Sequence, residues 1–195
     1  MLKFIIILSE LLIIVTKCQS KVPFGPNCLI HSEKYTYEYL YASHLNYMNF
    51  YEARQTFLKP LNRIDDFDRI RWSITPSATP NTYFIKNQKY NDYLCVHATF
   101  DSIFGDLILY RTMDLEKESC QWQFGYTNRR QNNSLLIWNK ADRHKYLSAG
   151  RSFGLMGWRP SYNRTIYISA KPMLPSNYKT IKWKVDCDEG DFLWA

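Results

Sequence analysis

Apolar and polar residues alternate with a period of two over short stretches of the chain, as in Ile181-Lys182-Trp183-Lys184-Val185 and Gln121-Trp122-Gln123-Phe124. That spacing puts every second side chain on one face of an extended backbone and predicts half-buried strands, with at most short helices. One segment departs from it. Phe4 to Val15 is almost wholly apolar, interrupted by Ser9 and Glu10, with Met1-Leu2-Lys3 before it and Cys18-Gln19-Ser20 after it. A basic start, a short apolar run and small residues at the −3 and −1 positions describe a secretory signal peptide. A membrane span needs about 20 apolar residues. Residues 1–20 are therefore expected to be the signal peptide and residues 21–195 a single extracellular domain with no membrane span.

Three signatures recur along that domain in the same order. Tyr39-Leu40, Tyr93-Leu94 and Tyr146-Leu147 are 54 and 53 residues apart. Trp72, Trp122 and Trp183 follow them, each with an apolar residue two positions later on the same strand face. Tyr83-Phe84-Ile85-Lys86-Asn87 and Leu135-Leu136-Ile137-Trp138-Asn139 precede the second and third Tyr-Leu pairs as strands ending in Asn; Asn27-Cys28-Leu29-Ile30-His31 is the nearest counterpart in the first. Units of about 50 residues with several strands each are too long for a solenoid and are better closed by threefold symmetry. The expectation is an all-β fold, a β-trefoil: six barrel strands and three capping hairpins, with Tyr39, Leu40, Trp72, Tyr93, Leu94, Trp122, Tyr146, Leu147 and Trp183 in the core.

With Cys18 removed in the signal peptide, Cys28, Cys95, Cys120 and Cys187 remain. Four cysteines in an oxidising compartment make two disulfides, with three connectivities open. A closed barrel brings its ends together, which favours Cys28 with Cys187, and leaves Cys95 with Cys120 inside the second unit, a bridge contributing about 3 kcal/mol. The sequons at Asn132 and Asn163 are expected to be glycosylated surface positions.

The run Thr82 to Leu94, then Gln121-Trp122, then Ile137-Trp138-Asn139-Lys140 with Lys145-Tyr146-Leu147, resembles the trefoil domain of insect 30-kilodalton haemolymph lipoproteins of the microvitellogenin type. Size, signal peptide, Trp content and four cysteines also look like the small trefoil proteins secreted in mosquito saliva. The resemblance covers about residues 82–185. It implies a binding function in saliva or haemolymph: glycans in one branch, small purine-type agonists in the other. Ricin-type lectins carry Gln two residues before the repeated Trp. Ile70, Cys120 and Ile181 stand there, so a ricin-like galactose site is not implied.

Charge and chemistry narrow the reading further. His31, His44, His97 and His144 show no zinc spacing and no nucleophile motif, so no enzyme, cofactor or metal is expected. Asp65-Asp66-Phe67-Asp68 and Asp186 to Asp191 lack calcium-loop spacing and read as solvated acidic turns. The net charge of +7, one of which leaves with the signal peptide, points to an anionic partner. Arg129, Arg130, Arg143, Lys145, Arg151, Arg159 and Arg164 gather in and just before the third unit, near Trp138, Trp158 and Tyr162. Arg beside an aromatic ring can grip an anionic group while a flat ring stacks. Trp158, Arg159, Arg151, Tyr162 and Trp138 are accordingly the candidate ligand residues, the segment Gly154 to Arg159 supplying a glycine turn that presents Trp158. Three function classes follow for a monomer that does not bind genomic nucleic acid. They are sequestration of a small anionic or purine-type ligand, binding of a glycan or heparin-like chain, and proteinase inhibition through the proline-stiffened Thr75 to Pro80 loop.

Overall fold

The computed structural model describes residues 24–47, 50–97, 105–110, 118–127, 134–141, 145–152, 164–170 and 175–188. Residues 1–20, expected to be a signal peptide, and both sequon asparagines, Asn132 and Asn163, lie outside these ranges. Twelve strands are described: β1 (Gly25–Ser32), β2 (Glu38–Tyr47), β3 (Phe50–Pro60), β4 (Arg71–Pro76), β5 (Tyr83–Asn87), β6 (Tyr93–His97), β7 (Gly105–Tyr110), β8 (Trp122–Tyr126), β9 (Leu135–Asn139), β10 (Lys145–Ser152), β11 (Arg164–Ala170) and β12 (Lys182–Cys187). All belong to one antiparallel sheet that closes on itself. β1 pairs with β4, β4 with β5, β5 with β8, β8 with β9, β9 with β12 and β12 with β1. The other six form the hairpins β2–β3, β6–β7 and β10–β11. Their second strands β3, β7 and β11 pair with one another in a ring.

The period-two alternation sorts the barrel side chains. On β9, Leu135, Ile137 and Asn139 are buried while Leu136 and Trp138 are half-buried; on β4, Trp72 and Ile74 are buried between more exposed neighbours. Trp72, Trp122 and Trp183 have no exposed surface and share one core with Ile30, Leu40, Ile74, Ile85, Leu94, Ile137 and Leu147. A buried indole N–H needs an acceptor. Each finds the same one: Trp72 Nε1 donates to the Leu40 carbonyl at 3.0 Å, Trp122 to Leu94 at 2.7 Å and Trp183 to Leu147 at 2.9 Å. The Leu of each Tyr-Leu pair is thus tied to the Trp that follows it.

Fully buried amides pin the turns. Asn87 Nδ2 donates to the Arg69 and Arg71 carbonyls at 3.1 and 3.2 Å, while its Oδ1 accepts from the backbone of Lys89 and Tyr90. Asn139 does the same with Ser119 and Gln121 at 2.8 and 3.2 Å, accepting from Ala141. The first counterpart is Ser32, one residue beyond the segment Asn27 to His31. It faces Trp183 as Asn87 faces Trp72 and Asn139 faces Trp122. Its hydroxyl accepts from Lys34 and Tyr35, but a shorter side chain has no second group to reach the preceding turn.

Cys28 is bonded to Cys187, 159 residues away, and Cys95 to Cys120, 25 residues away. Tyr39, Tyr93 and Tyr146 differ from the expectation: they are half-buried rather than in the core. Each immediately precedes the inward Leu, so the pleat turns it outward.

Trp122→Phe keeps the ring but strands the Leu94 carbonyl in an apolar core, a loss expected at about 2 kcal/mol or more. Denaturant unfolding of the two proteins checks it; equal midpoints would remove the indole bond from the account of this core.

Candidate functional site

The outward residues of the barrel form three corresponding rows. In each, a tyrosine opposes the residue just before the buried Ser or Asn: Tyr39 opposes His31, Tyr93 opposes Lys86 and Tyr146 opposes Trp138. The tyrosine is constant and its neighbour varies. His31 lies 5.3 Å from the Tyr39 ring and holds Asp186 at 3.2 Å. The Lys86 ammonium sits 5.4 Å from the Tyr93 ring. Trp138 meets Tyr146 edge to face at 6.1 Å, and its Nε1 donates to Gln123 Oε1 at 2.8 Å.

The third row is built around one glycine. A Cβ on Gly125 would come within 2.8 Å of the Trp138 ring, so any other residue there displaces the indole. Held by Gln123 and seated over Gly125, Trp138 offers a fixed aromatic surface, edged by the Tyr146 ring and an amide that can both donate and accept. The first two rows present imidazole and ammonium instead.

Two junctions between consecutive strand groups carry a second recurring device. Arg54 on β3 donates through Nε to Asp92 at 3.0 Å and lies 4.1 Å over the Tyr90 ring. Arg164 on β11 donates to Glu38 at 2.8 Å and lies 3.9 Å over the Tyr35 ring. Burial pushes the Glu38 carboxyl up from its ordinary value, and the Arg164 bond only partly offsets this.

The Asp65 to Asp68 turn is not simply solvated. Asp65 accepts from Tyr41 and Lys59 at 2.9 Å and from Arg69 at 3.0 Å, while Asp66 pairs with Lys89 at 3.0 Å. Partial burial alone would raise the Asp65 acid, but the bonds from Lys59 and Tyr41 outweigh it and hold it at about 2. In this group Tyr41 stands where the second unit has Cys95, so a polar network in one unit takes the place of a disulfide in the next.

Of the candidate ligand residues, Trp138 lies in the row just described and Arg151 near the end of β10; Trp158, Arg159 and Tyr162 lie outside the described residues, as do Arg129, Arg130 and Arg143. Gln123, Gly125 and Tyr146 were not singled out as ligand neighbours from sequence. The available signal was Gly125 falling where β8 alternation calls for a side chain. Within the Thr75 to Pro80 segment, Thr75 and Pro76 end β4 and a hydrogen-bonded turn follows: Ser77 N donates to the Thr82 carbonyl at 2.9 Å and Thr82 Oγ1 to the Thr79 carbonyl at 2.7 Å, with Lys140 bonded to Thr79. Among the described residues no cluster of His, Cys, Asp and Glu has metal-binding composition, and no helix is long and apolar enough to cross a membrane.

No protein-family model matches the chain, and no curated protein matches it. Solved structures do. A Culex salivary protein of the Cysteine and Tryptophan-Rich family superposes with a TM-score of 0.59 at 15% identity, covering 87% of this chain and 97% of its own. A Polyporus squamosus lectin, bound to a sialylated human-type influenza-binding epitope, gives 0.59 at 17% identity over 84% of this chain and 50% of the lectin. A Macrolepiota procera ricin B-like lectin in complex with lactose gives 0.54 at 12% identity over 87% and 100%. At these identities the likeness is one of fold.

Asp65 has an acid near 2 in the folded chain against an ordinary 3.8, so the folded state holds fewer protons between those values. Its stabilisation is complete above about pH 4 and lost as the pH falls toward 2. Asp65→Asn should therefore melt lower than the parent at neutral pH, the gap closing on acidification; a gap that persists at pH 2 would remove the carboxylate as its cause.

Proposed function

We propose that the chain is a secreted, non-enzymatic β-trefoil binding protein, one domain over residues 21–195, acting as a monomer on an extracellular glycan held at the Trp138, Tyr146 and Gln123 face. Three features support the trefoil reading. The first and last strands of each four-strand group pair in all three groups. Three hairpins lie outside the closed barrel, and the indole-to-Leu bond occurs in each unit. Two disulfides fit an oxidising compartment, in agreement with the signal-peptide reading of residues 1–20.

Trp138 is the observation that carries the ligand class. A sugar ring presents one face of C–H groups and a rim of hydroxyls, which an immobilised aromatic with an adjacent amide complements. That two of the fold's neighbours are described as lectins with bound sugars agrees with this reading. The salivary neighbour fits a role in an insect secretion. A purine-type ligand would instead engage Trp158, Arg159, Arg151 and Tyr162, and no described geometry favours it.

A glycan array followed by calorimetry on the best hit tests the reading, with adenine nucleotides as the competing arm. Trp138→Ala should lower glycan affinity about tenfold or more, equivalent to about 1.4 kcal/mol, with the melting temperature showing the fold intact. Heat from nucleotides and none from glycans would overturn the proposal in favour of the small-ligand class.

A further inference from the structure

The three outward rows differ in one respect that decides how a ring can lie on the barrel wall. His31, Lys86 and Trp138 are opposed across the wall by Lys184, Ser73 and Gln123, and two positions further along those strands stand Asp186, Thr75 and Gly125. In the first row Asp186 fills the second position and is bonded by His31 at 3.2 Å. In the third that position has no side chain, and the six-membered ring of Trp138 takes it, with Cη2 and Cζ3 2.8 and 2.9 Å from where a Cβ would sit. The indole is thereby located at both ends, Nε1 on Gln123 Oε1 at 2.8 Å and the benzo ring over Gly125. It lies along the wall with one face against β8 and the other turned away from the barrel. Tyr146, opposite it on β10, stands at 67° to the indole plane. Trp138, Gln123 and Tyr146 are all half-buried and keep exposed surface.

The bond that fixes the ring also fixes the amide. An indole N–H only donates, so it must meet the oxygen of Gln123, and the NH2 group is left on the other side of the carboxamide. A ligand lying on the ring therefore meets a donor at the pyrrole edge. A sugar hydroxyl can accept there, but its own proton then needs a partner in turn, whereas a carbonyl oxygen accepts without that requirement. The next outward position of β9 is Leu136, opposite Gly125 and half-buried, an apolar neighbour suited to a methyl group. Lys182, opposite Leu136 on β12, is already paired with Glu33 at 3.9 Å, so the surroundings favour a neutral group over a carboxylate. We infer that the Trp138 face selects sugars bearing an acetamido group, whose ring stacks on the indole while the amide carbonyl accepts from Gln123 Nε2 and the methyl turns toward Leu136. The inference rests on the glycan reading and names the substituent that the site reads.

The test compares N-acetylated chitotriose with cellotriose, which share linkage and ring configuration and differ only at C2, by calorimetry on the parent, Gln123→Glu and Gln123→Met. Glu keeps an oxygen for the indole N–H and puts an acceptor where the donor was; Met removes both. A hydrogen bond and a covered methyl together are worth about tenfold or more, so the parent should prefer the acetamido chain by at least that factor. In both variants the preference should fall below about threefold, with melting temperatures showing that the fold is kept. If the Met variant does not fold, Gln123→Glu decides alone. A preference that survives in the variants, or a parent that binds the two chains equally, overturns the inference and leaves the glycan reading standing. So does tighter binding of cellotriose oxidised to carboxylates at C6, which would make the ligand acidic. Parent protein that binds none of these chains, nor any other glycan of the array, overturns both.

Discussion

Everything in this molecule is arranged around a donor that cannot be left alone. An indole is the largest side chain available to fill a small barrel, and it brings one N–H that must be satisfied in a place water does not reach. The strand partners of Trp72, Trp122 and Trp183 already use the backbone groups within the barrel, so the acceptor has to come from outside it. A hairpin strand laid over the barrel end supplies the carbonyls of Leu40, Leu94 and Leu147. That single bond sets how far each hairpin reaches and which face of it turns inward. It also explains why the Leu is retained beside it: the same residue seals the indole with its side chain and satisfies it with its backbone.

Once that bond is in place, the neighbouring positions inherit fixed roles. The residue before the Leu must point outward, which is why Tyr39, Tyr93 and Tyr146 line the surface and not the core. The residue before that Tyr points toward the adjoining unit, which is why Glu38 and Asp92 are the ones that receive Arg164 and Arg54. The buried Trp and Leu recur in all three places, while positions that the pleat delivers to the outside differ freely. His31, Lys86 and Trp138 occupy the same backbone place with three different chemistries, and it is at such places that a closed barrel can diversify its ligands without touching its core.

The legible part of the sequence follows this division. Trp, Leu and the strand-ending Asn recur because no other residue meets their combined demands of volume and hydrogen bonding, so the repeat and the strand-rich character can be read without coordinates. Ser32 was harder to place because it keeps only the accepting half of what Asn87 and Asn139 do. The outward tyrosines look like core residues in a pattern search, since constancy alone does not say which face is constant. The bridges of Arg54 with Asp92 and of Arg164 with Glu38 leave no signature in sequence, because their partners are 38 and 126 residues apart. Only the strand register brings them together.

The same logic extends to the seams between units. A bridge of Arg, carboxylate and Tyr ring ties a seam: charge meets charge and the guanidinium covers the ring. In the first unit the Tyr41, Lys59, Asp65 and Arg69 network adds a further tie, and in the second the Cys95–Cys120 bridge holds the corresponding position. Two seams thus share one tie, and two units carry a further one at corresponding positions. The Cys28–Cys187 staple joins the first strand of the barrel to the last, so the closure that the seams make between units is made covalently between the two ends.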